Sequence, residues 1–345
     1  AAEIAALLAA AGWGGAARAP LAGDASRRRY ERLTDPATGA SAVLMDAPPE
    51  AGEDVRPFCA IGAHLRGLGL SAPQILAADE DAGLLLLEDL GDALYSAVAP
   101  GNPGRERTLY AAVVDLLAEL HRHAPPPGLP AYDAETMGER AALAAEWYLP
   151  GATGAPRDRA AAAALAAATA DAVRRHAPEA DVLALRDYHA QNLVWLPDRT
   201  GHARVGLLDY QDAMAGHRGY DLVSLLCDAR RDVPAALREE MTARYADAAG
   251  QSGEPFAAAC AVLNVQRNLR ILGVFARLSM HFGKPGYVDL IPRVWEHLTR
   301  DLAHPACAGM RGAAADLPAP VPAVRARLRS EAGRWPAREA GAETR

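Results

Sequence analysis

Lysine is all but missing from this chain. Lys284 is the only one among 345 residues, although Lys and Arg together number 36. Positive charge is carried by arginine, and the many alanines and arginines together reflect genome composition. Cysteine is scarce as well. Cys59, Cys227, Cys260 and Cys307 lie far apart, with no CxxC pair. That excludes a disulfide framework and zinc-ligand spacing, and it fits a reduced, cytoplasmic chain. No apolar run reaches membrane-spanning length, and the N-terminus lacks the basic-then-apolar pattern of a secretory signal. Asp and Glu total 43, for a net charge of −7, with no basic stripe. Nucleic acid and membrane are therefore not expected partners, and no obligate protein partner is evident. Half the residues are apolar, enough for a sizeable core in one large or two modest domains.

The pattern changes character along the chain. Residues 3–11 read as a short Ala/Leu helix closed by Gly12. Residues 21–45 read as three strands with a turn at Asp35-Pro36 and Gly39. Residues 53–68 have helical spacing, with Val55, Phe58, Cys59, Ile61 and Leu65 on one side. Two further strands follow at 74–78 and 83–87. These five strands and one helix form a small sheet lobe over 1–91. Helical patterns dominate 92–312. Within them, 160–172 is nearly all alanine, favouring helix while offering little to bury, and it reads as peripheral. The segment 313–345, with prolines, arginines and few large apolar residues, reads as a loose tail.

One stretch organises the rest. Val182–Leu185 leads into Arg186-Asp187, four further residues and Asn192. An apolar strand follows, then a Pro/Asp/Gly turn, then Val205–Leu208 running into Asp209. Asp187, Asn192 and Asp209 thus converge at the open end of a hairpin. Phosphoryl transfer needs such a set: a carboxylate to orient and deprotonate the attacking hydroxyl, and oxygen ligands to hold Mg²⁺ against the nucleotide phosphates. The spacing R-D-x-x-x-x-N followed by an Asp after a strand is the kinase pattern.

Asp187-Tyr188-His189-Ala190-Gln191-Asn192, Leu207-Leu208-Asp209 and Gly219-Tyr220-Asp221-Leu222 resemble the aminoglycoside/choline kinase superfamily. Further stretches resemble its anomeric amino-sugar kinases of bacterial cell-wall recycling. These are Gly23-Asp24-Ala25-Ser26, Met45-Asp46-Ala47-Pro48-Pro49, Leu86-Leu87-Glu88-Asp89-Leu90-Gly91-Asp92, Gln266-Arg267-Asn268-Leu269 and Ile291-Pro292-Arg293-Val294-Trp295. The resemblance implies an α+β, bilobal protein-kinase-like fold, with a five-stranded N-lobe and a mainly helical C-lobe. It implies ATP and Mg²⁺ as cofactors and a small sugar as substrate, phosphorylated at its anomeric hydroxyl. Asp187 would be the catalytic carboxylate, and Asn192 and Asp209 the metal ligands. Ser26, in the loop over the phosphates, and Glu88 and Leu90, at the adenine-pairing segment, would bind the nucleotide. Other small-molecule kinases (aminoglycoside, choline or homoserine type) and a nucleotide-binding pseudokinase are the alternatives.

The chain departs from the kinase pattern where a third-strand lysine holds the phosphates: Leu44 or Met45 falls there. Glu53 loses its expected partner. Either Arg28 or Arg29, on the neighbouring strand, could supply the charge, or both face solvent. On a later helix, Arg267, Arg270 and Arg277 fall within about 80° of one another. They either line a cleft for an anionic sugar or pair structurally. His189 reads as orienting the catalytic loop, and Asp221 as a helix N-cap and buried organiser.

Overall fold

Strand β5 explains the sheet. Among the described residues the strands are β1 (Ala17–Leu21), β2 (Arg29–Thr34), β3 (Ser41–Asp46), β4 (Ile75–Asp79), β5 (Leu84–Glu88), β6 (Val182–Ala184), β7 (Leu193–Trp195), β8 (Val205–Leu207) and β9 (Met214–Gly216). In β5, Leu84, Leu85, Leu86 and Leu87 are all buried. An unbroken apolar run of this kind is covered on both faces. It sits inside a five-stranded antiparallel sheet of order β1-β2-β3-β5-β4. The computed structural model describes residues 2–21, 27–251 and 253–336.

One face of this sheet carries Leu33, Ala42, Leu44 and Leu86, packed with Leu8 of helix α1 (Ala2–Ala10). Helix α2 (Arg56–Gly67) buries Phe58, Ile61, Gly62 and Leu65. Side chains alternate across a strand. Since Leu33 faces the α1 side, Arg29, four residues away, shares that side. Tyr30 and Arg32 take the other. The same alternation settles the third-strand position: Leu44 belongs to the α1 side, so Met45, paired with Tyr30, is the residue on the opposite face.

Contacts divide the chain into two units, one drawn from Ala1–Gly128 and Leu185–Ala213, the other from Leu129–Ala184 and Met214–Arg345. This differs from a boundary at residue 91. Helices α3 (Tyr95–Val98) and α4 (Pro103–Leu120) and the β7–β8 hairpin group with the sheet. The ties are specific: Val194 bridges Leu94, the Trp195 N–H donates to the Ala93 carbonyl at 2.8 Å, and the Ser71 hydroxyl donates to the Ala203 carbonyl at 2.7 Å. Helix α4 begins where Asn102 accepts from the Arg105 N–H at 2.9 Å, with Pro103 in the first turn.

The second unit is built on α10 (Gly253–Met280), which lies among α5 (Ala134–Ala141), α6 (Leu149–Thr153), α7 (Arg159–His176), α8 (Gly219–Leu226), α9 (Ala235–Ala248), α11 (Ile291–Leu302), α12 (Ala308–Ala313) and α13 (Pro322–Ser330). A single π turn, Ala144–Tyr148, precedes α6. Strands β6 and β9 pair here, not with the hairpin. Two readings of the sequence are corrected. The alanine-rich α7 is not merely peripheral: a Cβ on Gly138 of α5 would lie 2.5 Å from the Ala166 carbonyl oxygen. Small residues let the two backbones approach, so the helix packs by nearness rather than by bulk. Second, 313–336 is not loose. Leu328 of α13 is fully buried, the Ser279 hydroxyl donates to its carbonyl at 3.0 Å, and the Trp335 N–H donates to the Met280 carbonyl at 3.0 Å. Arg157 lies over Trp147 at 4.3 Å and over Trp335 at 5.3 Å. Two large side chains anchor a segment whose average composition is polar.

Among the described residues, no helix is long and apolar enough to cross a membrane. Leu328→Ala should lower stability by about 2–5 kcal/mol, the usual loss for a fully buried leucine. Urea unfolding followed by circular dichroism measures it; a loss under about 0.5 kcal/mol would mean that α13 is not part of the cooperative core.

Candidate active site

Two residues stand out in the backbone. Among the described residues, Arg186 and Asp209 are the non-glycine residues with positive φ, at 70° and 55°. Side chains rarely adopt this left-handed region, and such strain persists where surrounding structure enforces it. Here the enforcement is visible. The Asp187 N–H donates to the Leu185 carbonyl at 2.9 Å, and the Asn192 N–H to the His189 carbonyl at 2.9 Å. The Leu208 N–H donates to the Asn192 carbonyl at 2.9 Å, fastening the strand that delivers Asp209 to the loop that carries Asn192. The Tyr188 hydroxyl reaches the Val113 carbonyl at 2.9 Å and fixes the loop to α4. Arg186 donates to the Asp212 carbonyl at 2.9 Å.

The three residues expected to converge do so. The Asn192 amide nitrogen donates to the Asp187 carbonyl at 3.0 Å and to Asp209 Oδ2 at 3.4 Å. It lies 3.5 Å from His189 Nε2, with His189 buried in the loop. Gln211 donates to Asp209 Oδ1 at 2.9 Å. The Asp209 carboxyl is pushed above the usual carboxylate range, first by burial and then by the charge of Asp187. The Asp209 carboxylate, with the charge of Asp187 close enough to act on it and the Asn192 amide at 3.4 Å, forms a hard-oxygen set suited to a divalent cation. With its nitrogen committed to Asp187 and Asp209, Asn192 has its amide oxygen left to offer. No group of three or more His, Cys, Asp and Glu among the described residues could hold a metal ion. Mg²⁺ fits such a sparse set, because it takes one or two carboxylates and completes its shell with water and phosphate.

Arg28 is the cation of this site. Its Nε lies 3.1 Å from Glu53 Oε2 and its Nη1 3.5 Å from Asp209 Oδ1, with the side chain only 12% exposed. Burial pushes the Tyr30 hydroxyl above its usual pKa, and the neighbouring Arg28 acts against that rise. Glu53 is therefore not without a partner, as the missing lysine had implied. It holds Arg28 and accepts from the Arg27 N–H at 3.2 Å. Arg29 points elsewhere: it pairs across the strand with Asp46 at 2.8 Å and is 71% exposed.

The remaining expected residues divide. The Glu88 carboxylate is taken by Arg199 at 2.5 Å, and it accepts from the Gln74 N–H at 3.2 Å. Its backbone N–H donates to the Gln74 carbonyl at 2.8 Å, so any nucleotide contact at this residue falls to its carbonyl oxygen. Leu90 packs near the hairpin, since a Cβ on Gly206 would meet its Cδ1 at 2.9 Å. Ser26 and the loop around it lie outside the described residues. In the second unit Arg267 is 3% exposed and its Nη1 lies 3.4 Å from the Cys227 carbonyl, which is structural pairing. Arg270 is half-buried, with Nη1 3.5 Å from the Tyr220 hydroxyl. Asp221 is fully buried but is not an N-cap: α8 starts at Gly219, whose N–H donates to His217 Nδ1 at 3.0 Å. Sequence reasoning missed Tyr30, Gln211 and Arg199. Gln211 sits two residues from Asp209, but Arg199 carries no local signal, lying 111 residues from Glu88.

A five-stranded antiparallel sheet, a largely helical remainder and the loop Asp187–Asn192 beside Asp209 define a protein-kinase-like phosphotransferase. The chain belongs to the phosphotransferase enzyme family, which it matches over residues 18–260. It is 38% identical to the N-acetylmuramate/N-acetylglucosamine kinase of Caulobacter vibrioides, over 89% of this chain and 93% of that protein. It is 34% identical to the protein of the same name from Pseudomonas aeruginosa, over 86% and 88%. Its fold is similar to that of an aminoglycoside-3'-phosphotransferase of type VIII, with a TM-score of 0.55 and 18% identity over 78% of this chain and 98% of that one. It is also similar in fold to an ethanolamine kinase of Plasmodium vivax, with a TM-score of 0.53 and 12% identity over 85% and 83%.

Tyr210 couples this site to α2. It is buried, stacks on Phe58 with ring centroids 4.6 Å apart, and a Cβ on Gly62 would lie 2.6 Å from its hydroxyl oxygen. Gly62→Ala gains about 1 kcal/mol of helix propensity but overpacks against a stacked ring, at a cost of about 1–3 kcal/mol. The net should be a lower Tm and reduced turnover, because Tyr210 adjoins Asp209. A Tm equal to or above wild type would show that Tyr210 moves aside freely.

Proposed function

We propose that this chain is an ATP-dependent sugar kinase that phosphorylates the anomeric hydroxyl of N-acetylmuramate and N-acetylglucosamine, giving the sugar 1-phosphate. The convergence of Asp187, Asn192 and Asp209 carries the phosphoryl-transfer part of this reading. The names of relatives more than 30% identical over most of the chain support the sugar.

In this reading Asp187 orients the acceptor hydroxyl and takes its proton as the oxygen attacks the γ-phosphorus of ATP. A new O–P bond forms, the bond to the β,γ-bridging oxygen breaks, and ADP leaves. The anomeric hydroxyl is more acidic than an ordinary alcohol, so a modest carboxylate base is adequate. Asn192 and Asp209 would hold Mg²⁺, which when bound neutralises charge on the phosphate oxygens. The backbone at Glu88 and Leu90 would pair with adenine. Of the two arginines expected to meet the substrate, Arg270 has surface to offer the lactyl carboxylate of N-acetylmuramate, whereas Arg267 is enclosed. The four free cysteines suit a cytoplasmic site of action.

Asp187→Asn should lower kcat by at least about 100-fold, the scale of general-base catalysis, while ATP affinity stays within a few-fold. A kcat near wild type would remove Asp187 from its role.

The substrate is tested with a panel. N-acetylmuramate should be used with a lower KM than N-acetylglucosamine, and Arg270→Ala should narrow that gap by roughly ten-fold or more, as expected for a charged hydrogen bond of about 1.5–3 kcal/mol. A 1-O-methyl glycoside should not react. Its phosphorylation would place transfer at another hydroxyl.

A further inference from the structure

A phosphate-binding cation in this fold class ordinarily rides on the third strand, beside a helix glutamate. Here the third-strand residue on the site face is Met45, fully buried and apolar. No lysine exists N-terminal to Lys284. Yet the glutamate is present and occupied: Glu53 takes Arg28 at 3.1 Å. Arg28 precedes β2, two residues before Tyr30, and its guanidinium reaches Asp209 at 3.5 Å.

We infer that Arg28 is the nucleotide-phosphate cation of this enzyme, transposed from the third strand to the entrance of the second, and that Glu53 is its positioning residue. The inference rests on the kinase reading above.

Four observations carry it. The guanidinium is 12% exposed, so its charge is confined to the site rather than spread into solvent. It lies beside the carboxylate assigned to the metal, where the phosphates of a metal-bound nucleotide must come. It has five N–H donors and its ion pairs with Glu53 and Asp209 run through Nε and Nη1, and a planar fork suits phosphate oxygens. Finally, strand alternation and the Asp46 pair take Arg29 out of competition. The charge balance agrees. An arginine guanidinium does not lose its proton in a protein, and here it stands beside two carboxylates, Glu53 and Asp209.

Glu53 holds the pair from the segment before α2 rather than from within it, since α2 begins at Arg56. One of its oxygens takes the Arg27 N–H and the other takes Arg28. It therefore fixes both the backbone and the side chain of the residues entering β2, which is the work of a positioning group.

The test is binding without turnover. Affinities for ATP, ADP and adenosine are measured by calorimetry in EDTA, so that divalent metal contributes nothing. Arg28→Ala should weaken ATP and ADP by about 10- to 100-fold, the scale of one or two charge-assisted hydrogen bonds. Adenosine, which has no phosphate, should change less than two-fold. Arg28→Lys should restore part of the loss. Arg28→Gln, polar and neutral but shorter, should behave like Arg28→Ala and carries the test if the alanine variant does not fold. In a Glu53→Gln background the effect of Arg28→Ala should shrink several-fold, because coupled residues are not additive.

Unchanged ATP affinity in Arg28→Ala or Arg28→Gln overturns the assignment. So does an equal loss for ATP and adenosine, which would make Arg28 structural. A loss in Arg29→Ala with none in Arg28→Ala would move the role to Arg29. Full additivity with Glu53→Gln would remove Glu53 from its role. A wild-type protein that binds no ATP would instead overturn the kinase reading itself.

Discussion

Asp209 is the point on which the site depends. It stands at the end of a short strand in left-handed backbone, with Asp187 and Asp212 close enough to raise its pKa. Like charges drawn together in a partly enclosed place repel unless something positive joins them. In the protein itself that something is one guanidinium. Arg28 spans from Asp209 to Glu53, so the charge that steadies the Asp209 carboxylate also ties the hairpin to the sheet and to the approach of α2. Tyr210 adds an apolar tie between the same two parts, stacked on Phe58 and seated over Gly62. The strained backbone at Asp209 thus has an ion pair on one side and a ring stack on the other.

A second set of ties steadies the end of β5. Arg199, in the turn of the hairpin, reaches the Glu88 carboxylate at 2.5 Å and the Ser71 hydroxyl at 2.7 Å. A half-exposed pair of this kind adds little to global stability. Its consequence is local: it holds the end of β5 against the hairpin and turns the Glu88 side chain away from duty as a ligand. The β7–β8 hairpin is therefore fastened at both ends, by Arg199 at its turn and by Arg28 at its open end. Such double fastening suits a site in which reacting groups must be placed to within fractions of an ångström.

Much of this was legible because it is local. Asp187 and Asn192 share one loop, and Asp209 follows an apolar strand whose partner is only a turn away; spacing alone brings them together. What stayed hidden was long-range or depended on a minority of residues. Nothing in the alanine run of α7 says that α5 has Gly138 waiting opposite. Nothing in the polar composition of the last described segment says that Leu328 and Trp335 are both seated. Asp221 misled because His217 takes the helix's first free N–H and starts α8 two residues early. The choice between Arg28 and Arg29 was open in the sequence because period-two alternation assigns residues to faces without saying which face is the site. One structural fact, Leu33 packed with α1, decides it.

The scarcity of lysine also takes on a different meaning. A composition rich in arginine could replace a phosphate-binding lysine by arginine in place, and the cation would then stand at position 45. It does not; Met45 stands there, fully buried. A guanidinium is larger than an ammonium and carries its charge on a planar fork, so the two are not interchangeable at one position. Entering from the neighbouring strand, Arg28 meets Glu53 through Nε and Asp209 through Nη1, using two edges of the fork at once. In the reading proposed above, the charge that a third-strand lysine would bring comes instead from the entrance of the second strand, on a side chain that meets two carboxylates at once.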